Sequence, residues 1–261
     1  MKKIFYTATV AVLFASCGRK SAEMDSGYGY IDLGITTDVM TKAVRNVKSS
    51  DLASWTASVS RSGETSPEYS GVASDLASTP FISGKYVVAV YNFADDAAAE
   101  AANGKWGAAR YAGEVEVTVS SGTTQNPTIE CGRSRNNRFT VIFDSTFKAA
   151  CTDENGTALD TYSLTTKDSR TLVFDKTTEG KYAYYAASAT VSYILKYTFR
   201  GVAKTAEGSL NMGETSGTQK SIRLQSNNNG TISITISYDD SFIDGEDEIL
   251  TIDALTGEKI E

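Results

Sequence analysis

The chain has 261 residues, with 25 Lys and Arg against 32 Asp and Glu, no histidine, and a formal net charge of −7. A surface so acidic repels nucleic acid and anionic headgroups. The lack of histidine removes Ser-His-Asp and Cys-His nucleophile systems, imidazole acid–base chemistry and every His-containing metal site.

At the start, Lys2 and Lys3 precede an apolar stretch over residues 4–14 that is too short to span a bilayer, followed by the small residues Ala15 and Ser16 and then Cys17. This is the layout of an export signal. The cysteine after small residues resembles a bacterial lipobox, although Phe14 stands where that pattern usually has Leu, Val or Ile. The resemblance implies cleavage before Cys17, a diacylated thiol, and attachment to a membrane through that lipid. Residues 1–16 are then the signal peptide, and residues 17–27, which have little to bury, are a lipidated tether. The mature chain keeps 23 basic against 32 acidic residues, or −9, so the lipid rather than a basic patch would hold it. The expected location is the cell envelope, as an outer-membrane lipoprotein.

Order is predicted to begin near Tyr28. From there apolar residues recur at every second position: Ile31, Leu33 and Ile35; Trp55, Ala57 and Val59; Val115, Val117 and Val119; Phe139, Val141 and Phe143. Val191, Tyr193, Leu195, Tyr197 and Phe199 continue the pattern, as do Ile232, Ile234, Ile236 and Tyr238. Period two marks half-buried strands. Asn155-Gly156 and Asn229-Gly230 supply turn chemistry. Helix is scarce: Asp95 caps an alanine-rich turn that Asn103-Gly104 stops, and a second short helix fits residues 145–151. With no βαβ alternation, the expected fold is all-β. It consists of two tandem antiparallel sandwiches of transthyretin or immunoglobulin type with one or two short helices. Residues 28–131 form the first and 132–240 the second, divided by the polar stretch 132–137, and an acidic segment over 241–261 carries an extra strand. Gly84-Lys85-Tyr86 and Gly180-Lys181-Tyr182 are the best internal echo. A single large barrel is the alternative.

Chemistry-bearing motifs are few. Ser145-Thr146-Phe147-Lys148 has Ser-x-x-Lys spacing without its companion motifs, and Ser145 reads better as a helix cap. Glu114 and Glu116 share the wet face of a strand. The acidic run 239–248 fails as an EF-hand loop, because Phe242 and Thr251 fall where ligands are required. No catalytic residue, metal site or cofactor is expected. Trp106, beside Lys105 and among flexible glycines, is the candidate contact for a glycan or protein partner, or else it folds back over a sandwich end. Cys131 and Cys151 are either a disulfide, closing a loop of about 20 residues for about 3 kcal/mol, or two separate buried thiols.

Gly29-Tyr30-Ile31-Asp32-Leu33-Gly34-Ile35, the central Gly84-Lys85-Tyr86-Val87-Val88-Ala89-Val90 with its alanine-rich, Trp-bearing insertion, and Tyr111-Ala112-Gly113 together resemble an uncharacterised family of Bacteroidetes lipoproteins. That family is similar in architecture to fimbrillin-like pilus subunits and anchors. The resemblance implies a structural, assembly or adhesion role with fimbrial or other envelope partners; a surface glycan-binding lipoprotein is the alternative. It also implies maturation by cleavage after a basic residue beyond the first strand, for which Lys42 and Arg45 are candidates. Residues 249–252 would then be a donor strand; the alternative is that both segments stay paired within their own sandwiches and the protein is a monomeric anchor or tip component.

Overall fold

The computed structural model describes residues 27–39, 43–227, 231–238, 248–253 and 259–260. Cys17, Lys42, the Asn229-Gly230 turn and most of the acidic run lie outside the described residues.

The first half begins with β1 (Tyr28–Ile31) and β2 (Gly34–Val39), which act as one broken strand. Asp32 and Gly34 donate their N–H groups to the Gln125 and Pro127 carbonyls at 2.8 and 2.9 Å, so pairing runs through the break. Then come β3 (Ala43–Asn46), β4 (Thr56–Arg61), β5 (Tyr69–Val72), β6 (Phe81–Ile82) and β7 (Gly84–Tyr91). Helix α1 (Asp96–Ala101), β8 (Ala112–Val119), β9 (Thr124–Gln125) and β10 (Thr128–Glu130) complete it. A sheet of order β5-β4-β7-β8 packs on a layer made of β6-β1-β9 and β10-β2-β3. The alternating residues Ile31, Ile35, Ala57, Val59, Val88 and Val117 meet between them in one apolar cluster.

The second half contains β11 (Asn136–Phe143), helix α2 (Ser145–Ala150), β12 (Ser163–Thr166), β13 (Val173–Phe174), β14 (Ala183–Ala186), β15 (Thr190–Phe199) and β16 (Val202–Asn211). It ends with β17 (Gln219–Ser226), β18 (Thr231–Tyr238), β19 (Glu248–Asp253) and β20 (Lys259–Ile260). Its sheets run β13-β12-β15-β16 and β14-β11-β17-β18-β19-β20 around a second cluster rich in Phe and Tyr. Both halves are therefore open two-layer structures, and neither closes into a barrel.

The halves share one topology. β5-β4-β7-β8 corresponds to β13-β12-β15-β16, and β6-β1-β9 to β14-β11-β17, with the same parallel or antiparallel sense at every shared pairing. In each, the first strand pairs in parallel with a late one: β1 with β9 and β2 with β10, then β11 with β17. These parallel pairs join an otherwise antiparallel fold. The Gly-Lys-Tyr echo in the sequence links strands that are not equivalent: Gly84 opens β7, whose counterpart is β15, whereas Lys181 and Tyr182 precede β14, the counterpart of β6.

A closer repeat is Ser-Asp-Leu-Ala-Ser at 50–54 and again at 74–78, each in a 3-10 turn. Leu52 and Leu76 both enter the core. Trp55 and Thr79 donate to the leucine carbonyls, while the Ser54 and Ser78 hydroxyls donate to the Asp51 and Asp75 carbonyls. The two turns bracket the β4–β5 hairpin and pack on each other.

Both short helices form, the first of them from the cap that the sequence signals. Asp95 accepts from the Ala98 N–H at the start of α1. At α2 the cap is Asp144, not Ser145: its carboxylate accepts from the Thr146 N–H and hydroxyl and stays below the usual carboxylate range because of those bonds. Arg45 sits within β3 opposite Thr37, not in a loop, because the extended 34–39 segment gives it a backbone partner. Residues 249–252 belong to β19, paired on one side with β18 and on the other with β20, within their own sheet.

Candidate functional site

The two repeats differ most in one connection. Between β15 and β16 the chain turns through Arg200 and Gly201 alone, both left-handed at φ 48° and 79°, as a tight hairpin requires. Between the equivalent β7 and β8 lies an insertion, residues 92–111, that carries α1, Lys105 and Trp106. It crosses to the second half.

Consecutive buried asparagines stand at the start of β11, in the polar stretch that the sequence offered as a boundary, and the first of them holds the end of the insertion. Asn136 accepts from the Arg110 N–H at 3.0 Å and donates to the Ala108 carbonyl at 2.8 Å. Asn137 accepts from the Thr218 N–H and donates to the Met212 and Gly213 carbonyls. Both are 0% exposed, so these polar residues act as internal braces.

Arg170 is the centre of the seam. It is 7% exposed, and its guanidinium donates to the Glu100 and Lys105 carbonyls at 3.2 and 3.1 Å and to the Tyr184 carbonyl at 2.6 Å. Its Nε is 3.5 Å from a Glu100 carboxylate oxygen, and its Cζ lies 3.8 Å from the centroid of the Tyr185 ring. Burial pushes the Tyr185 phenol far above its ordinary range.

Trp106 is half-buried. Its indole meets Phe174 edge-on, with centroids 5.0 Å apart, and Lys181 Nζ lies 4.4 Å from the indole centroid. Trp106 packs onto the core of the second half and keeps part of its surface exposed. Lys105 is exposed but held at φ 74°, after Asn103 at 51° and Gly104 at 65°. Beside them an outward surface forms on the sheet. The Arg138 guanidinium lies 4.0 Å from the Tyr182 ring centroid and 6.0 Å from that of Tyr184, donates to the Tyr184 hydroxyl at 3.2 Å, and grips Gln219 through two nitrogens. All four residues are partly exposed. Sequence reading did not single them out, although the Tyr-x-Tyr alternation at 182 and 184 was its available signal.

The remaining candidates are dispersed. Cys131 and Cys151 are free, buried thiols in different apolar clusters, so no disulfide links them. Burial pushes them up to about 11 and about 12. Lys148 pairs with Glu179 at 2.7 Å, a bond that raises its ammonium above the ordinary range and turns it toward that carboxylate. Glu114 and Glu116 are exposed on β8. A shallow depression of about 460 Å³ is lined by Lys167, Ser192, Tyr193, Glu207, Gly208 and Ser209, and its Lys167–Glu207 pair is open to solvent. Among the described residues no acidic or cysteine cluster could hold a metal, and no helix is long and apolar enough to cross a membrane.

A braced tandem of like-wound β repeats, with an aromatic and cationic outer surface, defines an all-β module of two-layer units. The chain belongs to the family described as a domain of unknown function, DUF4493, whose model matches residues 27–253. No curated protein matches. Among solved structures it is similar to a candidate cell adhesion protein of Bacteroides eggerthii, at 11% identity and a TM-score of 0.39, over 80% of this chain and 88% of that one. A candidate adhesin of Bacteroides ovatus matches at 10% identity and a TM-score of 0.29, over 74% and 87%. A leucine-rich repeat protein of Bacteroides thetaiotaomicron matches at 14% and 0.25, with 77% of this chain covering 26% of that one.

Proposed function

We propose that this is a non-enzymatic, lipid-anchored cell-envelope protein with a structural or adhesive role, as a fimbrillin-like pilus component, anchor or assembly protein. The observation that carries the reading is the Arg138 cluster. A guanidinium stacked on Tyr182 and bonded to Tyr184 and Gln219 is ordered before any partner arrives. Tyr and Arg on a partly exposed, preformed surface are the residue types that dominate protein contacts. The lipobox-like segment ending at Cys17 supports delivery to the envelope. Surface cross-linking in cells that carry the wild-type chain or Arg138→Ala is the test. Partners captured by the first and lost in the second are expected; identical capture by both would remove this surface from the reading.

Saccharide binding is the second reading, favoured by Tyr182, just before β14, and Tyr184 within it, partly exposed rings that both lie beside the Arg138 guanidinium. A glycan array distinguishes it. Signal lost on Tyr182→Ala supports saccharide, and a blank array together with captured protein partners supports the first reading.

A further inference from the structure

Strand β14 stands at the end of its sheet, where an unpaired edge would offer N–H and C=O groups to any passing strand. Those groups are already taken. Tyr184 donates its N–H to the Trp106 carbonyl at 2.9 Å, and its carbonyl accepts from Arg170. Two residues on, the Ala186 N–H is met by the Glu100 carboxylate at 2.9 Å. Trp106 and Glu100 both come from the 92–111 insertion, which belongs to the other repeat.

The insertion is built for this contact. Gly107 has φ 81°, and a Cβ there would stand 2.9 Å from Tyr184 Cβ, so only glycine lets the two backbones approach. Lys105 is held left-handed without being glycine, a conformation that persists where surrounding contacts over-determine it, and the Arg170 bond to its carbonyl is one such contact. Trp106 then inserts against Phe174, in the core of the half it seals.

We propose that residues 92–111 are an intramolecular strap that closes the β14 edge against strand addition and, through Arg170, locks the two repeats into one cooperative unit. This does not depend on the adhesive reading.

Hydrogen exchange on the full chain, read at single amides, tests it. In the wild type the Tyr184 and Ala186 amides should exchange as slowly as those of β11, and thermal unfolding should show one transition. Glu100→Ala should speed exchange at Ala186 by roughly tenfold or more while Tyr184 stays protected. Glu100→Ala with Trp106→Ala should release both amides and convert monomer to dimer and higher species in size-exclusion light scattering. Should the double variant not fold, the single variant still decides. Unchanged exchange at Ala186 in Glu100→Ala, or two separate transitions in the wild type, would overturn the strap.

Discussion

Tyr193 on β15 stands directly opposite Gly208 on β16, and its phenol occupies the space a side chain at 208 would need. A Cβ there would lie 2.5 Å from the Tyr193 hydroxyl oxygen. Tyr193 is 2% exposed because the glycine opposite makes room for its ring. Gly208→Val is therefore expected to destabilise by about 2 kcal/mol through overpacking. Tyr193→Ala should cost about 4 kcal/mol through the cavity it leaves. Together they should cost less than the sum, since the clash disappears with the ring. Urea unfolding of the four proteins in the cycle measures this, and strict additivity would show that the two do not share the space.

Asn137 bridges the 212–213 segment and Thr218 through three bonds, in a site without exposure. Asn137→Ala leaves a buried N–H and two carbonyls without that partner, for an expected loss of about 3 kcal/mol. Asn137→Asp should be at least as damaging, because it sets a carboxylate against the Met212 and Gly213 carbonyls. Denaturation midpoints of both variants provide the check.

Burial keeps Cys131 and Cys151 as neutral thiols, with pKa pushed up to about 11 and about 12 from an ordinary 9.0. The native chain should resist iodoacetamide at pH 8 and react at both thiols once unfolded. Above about pH 9 the unfolded chain loses these protons while the folded chain keeps them, so their contribution to stability falls as pH rises toward 11 to 12. Alanine at both positions should flatten that decline in unfolding curves recorded between pH 8 and about 11.

If Cys17 carries lipid, Cys17→Ala should abolish labelling by a fatty-acid probe and move the protein out of the membrane fraction. Labelling that persists in the variant would end the lipoprotein assignment.

Alternation identified β1 and β2, β4, β8, β11, β15 and β18. Val191, Tyr193, Leu195, Tyr197 and Phe199 are all buried, as a period of two requires when one sheet face is covered, and Asp95 and its alanines made the helix they signal. Such patterns are local: they report which face of a segment meets a core. They do not report which segment covers it. The parallel pairing of β11 with β17 joins residues some 80 positions apart, and the correspondence of β7 with β15 appears only in the order of the sheets. Trp106 among glycines carried the composition of an exposed loop, yet one of them, Gly107, permits close approach to Tyr184. Asn136 and Asn137 read only as part of a polar boundary stretch, because a polar side chain looks the same in water and in a cavity whose hydrogen bonds come from distant backbone. The sequence by itself determined an all-β chain with a lipobox-like start and no histidine chemistry. Tertiary structure decided that the thiols lie apart and that an insertion from one repeat closes the other, since both depend on contacts between residues that no local pattern relates.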